Sequence, residues 1–321
     1  MSTNLSKHIL ATITYYDVMD YPMTSFEIWK HLLIISGEEP EKYSLEEVIC
    51  ELSGDLVNTE YSEHGTGKLK RFIAMEKGFY FLKDRIGLAD ERIRRNKISE
   101  QKFKKLLKMV KILRFFPYIR MVGVTGRMAM KNAEAKSDFD LLIFFRKGRL
   151  FTGRILVTVM LHLFGKRRYG KKIQNRICLN HFLTDDFLIS GRDIFAASEY
   201  SFMTVIYGFS KFERFQSINY WINRYKPNFI HEISNSRRME DTFFSRKVKI
   251  FLEMVFNFEF IEKKLKFWQM KRIKNNPKTK QLGSMIISDD KELAFWPNYE
   301  NQGPLVFSRF KERLNKISNF S

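Results

Sequence analysis

The sequence predicts an α+β protein: a small mixed β-sheet with helices packed on it, a helix-and-hairpin module before it and a helical region after it. Three observations carry this. Apolar residues recur at helical spacing through most of the chain. Leu141 to Phe145 is a short unbroken apolar run, the mark of a strand covered on both faces. Leu69–Met75 and Gly78–Leu82 are β-like segments that meet at Lys77-Gly78, as hairpin strands do.

At the N-terminus, Leu5 to Tyr16 reads as a helix that breaks over Asp17 to Pro22. A second helix begins after Thr24 or Ser25, with Glu27 in its first turn. Ser44 and Glu47 form a capping-box pattern for a third, with Leu45, Val48, Ile49, Leu52 and Leu56 at helical spacing. Turn material at Gly65, Gly67 and Lys77-Gly78 completes the hairpin. Three helices followed by a hairpin is winged-helix order, so residues 1–88 read as a winged-helix-like module. Ala89 to Arg120 reads as one long basic helix, of which 89–114 is the connector. Residues 92–120 hold eleven Lys or Arg against Glu100 alone. Such a helix is either solvated on its charged side or lines a groove for phosphates.

Residues 115–190 read as the core, with four or five strands expected in its sheet. Val122 to Phe145 holds a glycine turn, about ten residues of helix-like sequence, and then Asp138 and Asp140 entering an apolar strand. Arg149 to Phe164 reads as a buried helix, and residues 146–176 carry ten Lys or Arg and no acid. Ile173 to Leu183 reads as a second strand, with Cys178, Asn180 and Phe182 on one face and Ile177, Leu179, His181 and Leu183 on the other. In the helical region, 191–321, Ile194 to Tyr225 reads as helix. Met239 to Ile273 reads as one long helix with Phe251, Leu252, Val255, Phe258, Ile261 and Leu265 on its buried face. Asn275 to Gly283 is a basic linker and Val306 to Ile317 a last amphipathic helix; Trp221 and Trp268 read as core.

Composition bounds the function. The 321 residues are 44% hydrophobic and 15% aromatic, enough for two or three folded cores. A net charge of +20 favours phosphate-rich partners, namely nucleotides, nucleic acid or an anionic membrane surface, although a Lys-rich composition also reads as that of an AT-rich genome. Cys50 and Cys178 make neither a disulfide framework nor a zinc site, so a reducing cytoplasm is expected. The start, MSTNLSKHIL, does not read as a signal peptide. The most apolar window, Arg149–Phe164, is too short to span a bilayer and is interrupted by Arg154 and His162, so no membrane is expected. The six histidines lack metal-ligand spacing, and no Walker loop or Gly-x-Ser-x-Gly elbow occurs.

The chemistry-bearing residues are Asp138 and Asp140. At i and i+2 in a strand their carboxylates leave one face. Two like charges held together call for a cation between them, and magnesium is the natural one because hard cations take oxygen ligands. That arrangement suits phosphoryl or nucleotidyl transfer.

The order of Gly126, Arg127, ten residues and Asp138-Phe139-Asp140 in an apolar strand resembles the DNA polymerase beta-like nucleotidyltransferase superfamily. DYPMTSFEIW, GFYFL, GVTGRMAM, KGRL and ICLNHFL resemble a bacterial branch that joins an N-terminal helix-and-hairpin module to such a domain. The resemblance implies a small mixed-sheet nucleotidyltransferase core and transfer of a nucleoside monophosphate from a nucleoside triphosphate to a hydroxyl or other acceptor, with release of pyrophosphate. The acceptor is left open among a protein, a small molecule and a nucleic acid. It also implies that Asp138 and Asp140 hold two magnesium ions and that Gly126, Arg127 and Ser137 face the nucleotide. Two positions depart from the pattern. Arg127 stands where the family has a small serine. On the second strand Asn180 is the candidate for the third carboxylate position, with Asp185 as the alternative. A second function is therefore carried as well: a catalytically impaired nucleotidyltransferase-fold protein that binds DNA or a protein partner.

Overall fold

The computed structural model describes residues 4–34, 41–53, 72–83, 85–186, 188–189, 193–229, 238–282, 284–296 and 304–318. The N-terminal helices are α1 (Asn4–Asp17), α2 (Ser25–Lys30) and α3 (Leu45–Glu51). Both predicted caps form: Thr24 with Glu27 opens α2, and Ser44 with Glu47 opens α3. Strands β1 (Ile73–Glu76) and β2 (Phe79–Leu82) pair antiparallel across Lys77 and Gly78, whose φ values of +54° and +78° are those a two-residue hairpin turn needs. Leu56, Gly65 and Gly67 lie outside the described residues.

Helix α4 (Leu88–Leu113) stops short of the predicted Arg120. Pro117 lacks the N–H a helix requires, Tyr118 turns to φ +68°, and Ile119–Val124 becomes strand β3. Part of its basic face is buried rather than solvated. Arg92 donates to Glu27 at 2.8 Å and to the Tyr21 hydroxyl at 2.7 Å, tying α4 to α2. Lys102 Nζ donates to the carbonyls of Ala135 (3.2 Å) and Ser137 (2.9 Å) and to Asn175 Oδ1 (2.9 Å), which fixes the loop ahead of Asp138.

After the one-turn helix α5 (Gly126–Ala129) come β4 (Phe139–Phe145), α6 (Leu150–Leu163), β5 (Ile177–Thr184), α7 (Ile194–Ser201), β6 (Thr204–Tyr207), α8 (Phe209–Ile218), α9 (Phe243–Val255), α10 (Glu259–Lys274), β7 (Met285–Ser288), β8 (Glu292–Trp296) and α11 (Pro304–Ser318). The sheet has six strands in the order β6-β3-β4-β5-β8-β7. It is mixed: β4 and β5 are parallel and every other pair is antiparallel. β4 is covered on both faces, as its sequence predicts. Leu141, Ile143 and Phe145 enter the core under α4 and α6, and Leu142 and Phe144 enter the core under α7 and α8. The last helix returns to the start of the chain, where Phe310 meets Tyr15 edge-on at 5.6 Å and Arg313 pairs with Asp17.

Several expectations are corrected. The helix-like stretch after Gly126 is a single turn, ended by Lys131 at φ +54°. The sheet has six strands rather than four or five, because three arise in the region read as helix and linker. Ile194–Tyr225 contains β6, followed by Gly208, where an added Cβ would sit 2.0 Å from the Arg120 carbonyl oxygen; only glycine lets the backbone cross there. Residues beyond the 275–283 linker form the β7–β8 hairpin. Met239–Ile273 is two helices, not one. The break lets Glu253 accept from the Tyr118 N–H and Arg120 on β3, while Glu262 accepts from the N–H groups of Phe151 (2.9 Å) and Thr152 (2.8 Å) at the start of α6. Phe251, Val255 and Phe258, predicted buried, are exposed.

Candidate functional site

Asp140 is the second residue of β4, and Asp138 sits immediately before the strand. The turn that follows β3 is pressed against them. The Thr125 N–H donates to the Asp140 carbonyl at 3.1 Å. Gly126 adopts φ +63°, and an added Cβ there would lie 3.0 Å from Asp140 Oδ2, so glycine is required both for its backbone and for its lack of a side chain.

The third group beside the pair is Cys178. β5 runs parallel to β4 with Cys178 opposite Asp140, and the donor atoms of Asp138, Asp140 and Cys178 all lie within 4.8 Å of one another. The next pairs in register are Leu142 with His181 and Ile143 with Phe182, so β5 has one residue more than β4 between Cys178 and His181. This bulge breaks the predicted alternation: Cys178, Leu179 and Asn180 all border one cleft. His181 turns inward to Glu292 at 3.0 Å. Asp185 is at the other end of the strand, about 16 Å away at strand rise, and its carboxylate is held by the Lys147 N–H and Lys211.

Burial, with Asp138 and then Glu199 nearby, pushes the Asp140 carboxyl up to about 7. Arg168 answers part of this charge by donating to Asp138 Oδ2 at 2.7 Å. The donor set suits a hard divalent cation: two carboxylates that repel each other, with the Asn180 amide bordering the same cleft. Cys178 does not add to that set. Burial and the two aspartates drive its thiol far above its ordinary range, so it stays protonated.

The pair opens into a cleft of about 870 Å³, the size of a small-molecule site. Its walls come from β4, β5 and β8, from α6, from the 167–170 strap and from α10 with the turn after it. α10 is held down by Glu262 on the start of α6 and by Gln269, which donates to the Phe151 carbonyl at 2.9 Å and accepts from Arg154 at 2.7 Å. Five cations line this space: Arg154, Arg167, Arg168, Arg272 and Lys278. Burial and then the charges of Arg167 and Arg272 lower the Arg154 guanidinium to about 10. Trp268, predicted as core, is 48% exposed and borders the cleft beside Arg272.

The glycine turn faces elsewhere. The Gly126 N–H donates to Glu199 Oε1 at 2.9 Å, and burial raises the Glu199 carboxyl. Arg127 reaches Glu134 at 2.7 Å, and the Ser137 hydroxyl donates to the Glu134 carbonyl at 2.8 Å. None of the three is among the residues lining the cleft, whereas Asp138, Asp140 and Asn180 are. Sequence reasoning missed Glu199, Arg168, Arg154 and Arg272. The acid-free run 146–176 is the one signal that pointed toward Arg154 and Arg168; Arg272 lies outside it.

Comparison with protein-family models, with curated proteins and with solved structures yields no match, so the function of the site is argued from its geometry. Among the described residues no helix is long and apolar enough to cross a membrane.

Proposed function

We propose that this chain is a magnesium-dependent nucleotidyltransferase that moves a nucleoside monophosphate from a nucleoside triphosphate to an acceptor oxygen. The observation that carries the proposal is the position of Asp138 and Asp140, side by side at the edge of a roomy cleft whose other charged groups are cationic. Asp138 and Asp140 would hold the metal, which when bound supplies charge neutralisation for the reacting phosphates. Asn180 borders the same space and offers a neutral oxygen, able to orient a ligand but not to take a proton. Gly126 leaves room for the Asp140 carboxylate, which an added Cβ would meet at 3.0 Å. Arg168 donates to Asp138 and borders the cleft, where its guanidinium would be within reach of a bound nucleotide's phosphates. In the transfer, the acceptor oxygen bonds the α-phosphorus, the bond from that phosphorus to pyrophosphate breaks, and the acceptor proton leaves through the open cleft to solvent. α10 and the turn after it form the outer wall, so they would meet the acceptor.

The test is incubation of the purified protein with each α-labelled nucleoside triphosphate, magnesium and a cell extract, followed by location of the label. The expected result is labelling of one acceptor class, reduced at least ~10³-fold in Asp138→Asn/Asp140→Asn, as expected on losing the metal-binding pair. Label transfer that survives this double substitution contradicts the proposal.

One observation favours a second reading. The strand position opposite Asp140 holds Cys178, a protonated thiol, rather than a third acid. A catalytically impaired protein of this kind, using its +20 charge to hold DNA, would retain DNA in a salt-sensitive way that is indifferent to the aspartate substitutions.

A further inference from the structure

We infer that the triphosphate of the donor is held by Arg154, Arg167 and Arg272 in the cleft, and not by the glycine turn that the sequence singles out. This rests on the nucleotidyltransferase reading and deepens it by naming the phosphate-binding residues.

At the turn, the Gly126 N–H is bonded to the Glu199 carboxylate. Glu199 therefore occupies an anion's place there and adds negative charge next to Asp140. Arg127 is engaged with Glu134. A polyphosphate entering on that side meets carboxylates.

On the cleft side the balance is reversed. Among the described residues no carboxylate lies within ion-pair distance of Arg154, Arg167 or Arg272, and each borders the same space as Asp138 and Asp140. The surroundings of Arg154 are an amide oxygen, the Phe182 and Phe295 rings at 5.6 and 4.8 Å, and two other guanidinium groups. Like charges brought this close are costly unless an anion joins them. Five cations share the cleft with two aspartates. Once a divalent ion has neutralised the aspartates, the remaining charge matches a triphosphate better than a single phosphate. Arg168 links the two zones, since it touches Asp138 and follows Arg167 in the strap. The guanidinium fork suits bidentate contact with phosphate oxygens. α6, the strap and α10 each contribute one arginine, so the subsite exists only when the three elements are assembled.

The experiment is calorimetric titration of the full chain with inorganic tripolyphosphate, without divalent metal, at low and at physiological salt. The parent protein should bind, more weakly at the higher salt. Arg167→Gln/Arg272→Gln should weaken binding about a hundredfold, near tenfold for each charge-assisted hydrogen bond removed. Asp138→Asn/Asp140→Asn should bind as well as the parent or better, because two repelling charges are gone. Arg272→Gln alone, at an exposed position, supplies a second variant whose melting temperature should match the parent's. Unchanged binding in the arginine variants, no binding by the parent, or loss of binding in Arg127→Gln instead would overturn the inference. The two claims fail separately: tripolyphosphate has no nucleotide to transfer, so intact binding without label transfer removes the enzyme and leaves the arginine site standing.

Discussion

Arg92 is buried and Arg154 half-buried, and their surroundings differ in kind. Arg92 meets the Glu27 carboxylate, the Tyr21 hydroxyl and the Lys131 carbonyl at 2.9 Å, and its guanidinium lies 4.0 Å from the Tyr21 ring centre. Arg154 meets one amide oxygen and two rings, and the charges of two further arginines bear on it. Folding alone completes the first cation. The second, on the proposed reading, is completed by an anion from outside. The contrast separates charge that the fold pairs within itself from charge that the fold leaves open to a cleft.

The largest effect that sharpens this contrast is on stability. Arg92→Met takes from Glu27 its cationic partner, leaving the Tyr21 hydroxyl and the Thr24 N–H as its donors, and should cost about 3 kcal/mol, the lower end for breaking one partner of a buried pair. Arg154→Met in the ligand-free protein removes a cation repelled by its neighbours, and should cost less than about 1 kcal/mol or stabilise. Chemical denaturation of both variants measures this, and equal losses would break the comparison. A smaller effect concerns pH. The folded-state pKa of Asp140, about 7, lies above its unfolded value. Between about pH 4 and 7 the folded state therefore binds the extra proton, and the stability it contributes, on the order of a few kcal/mol at most, is lost as pH rises through 7. Asp140→Asn should flatten that slope in a pH series of denaturation curves, and magnesium should flatten it too by favouring the ionised pair. A slope unchanged by the substitution would show that Asp140 is not strained by its neighbours.

What the sequence made legible was local. The cap read at Thr24 or Ser25 and the capping box at Ser44 act within three residues, and the run Leu141–Phe145 reports a strand with both faces covered. Asp138 and Asp140 stand in one segment, so their pairing could be read from spacing. What stayed hidden depends on contacts between distant segments. Glu199 is 73 residues from Gly126, and no feature of helix α7 announces that it caps that turn. β6 is four residues of β-branched and aromatic sequence between two helices, too short for its period to show against theirs. Trp268 sits in an apolar helical pattern like that of any core residue, yet the face it occupies borders a cleft made by α6 and β8. The bulge in β5 is another such case. It brought Leu179 to the same cleft as Cys178 and Asn180, which a strict two-residue alternation forbids.

The central claim is that the two aspartates and the arginine-lined cleft take a divalent metal and a polyphosphate together. It is tested most directly by measuring the affinity of each nucleoside triphosphate for the protein with and without magnesium, in the parent and in Asp138→Asn/Asp140→Asn. The account predicts that magnesium tightens binding at least ~10-fold in the parent, the scale of a ligand gaining a metal bridge, and has no effect in the double variant. The same magnesium dependence in both proteins, or none in either, would contradict it.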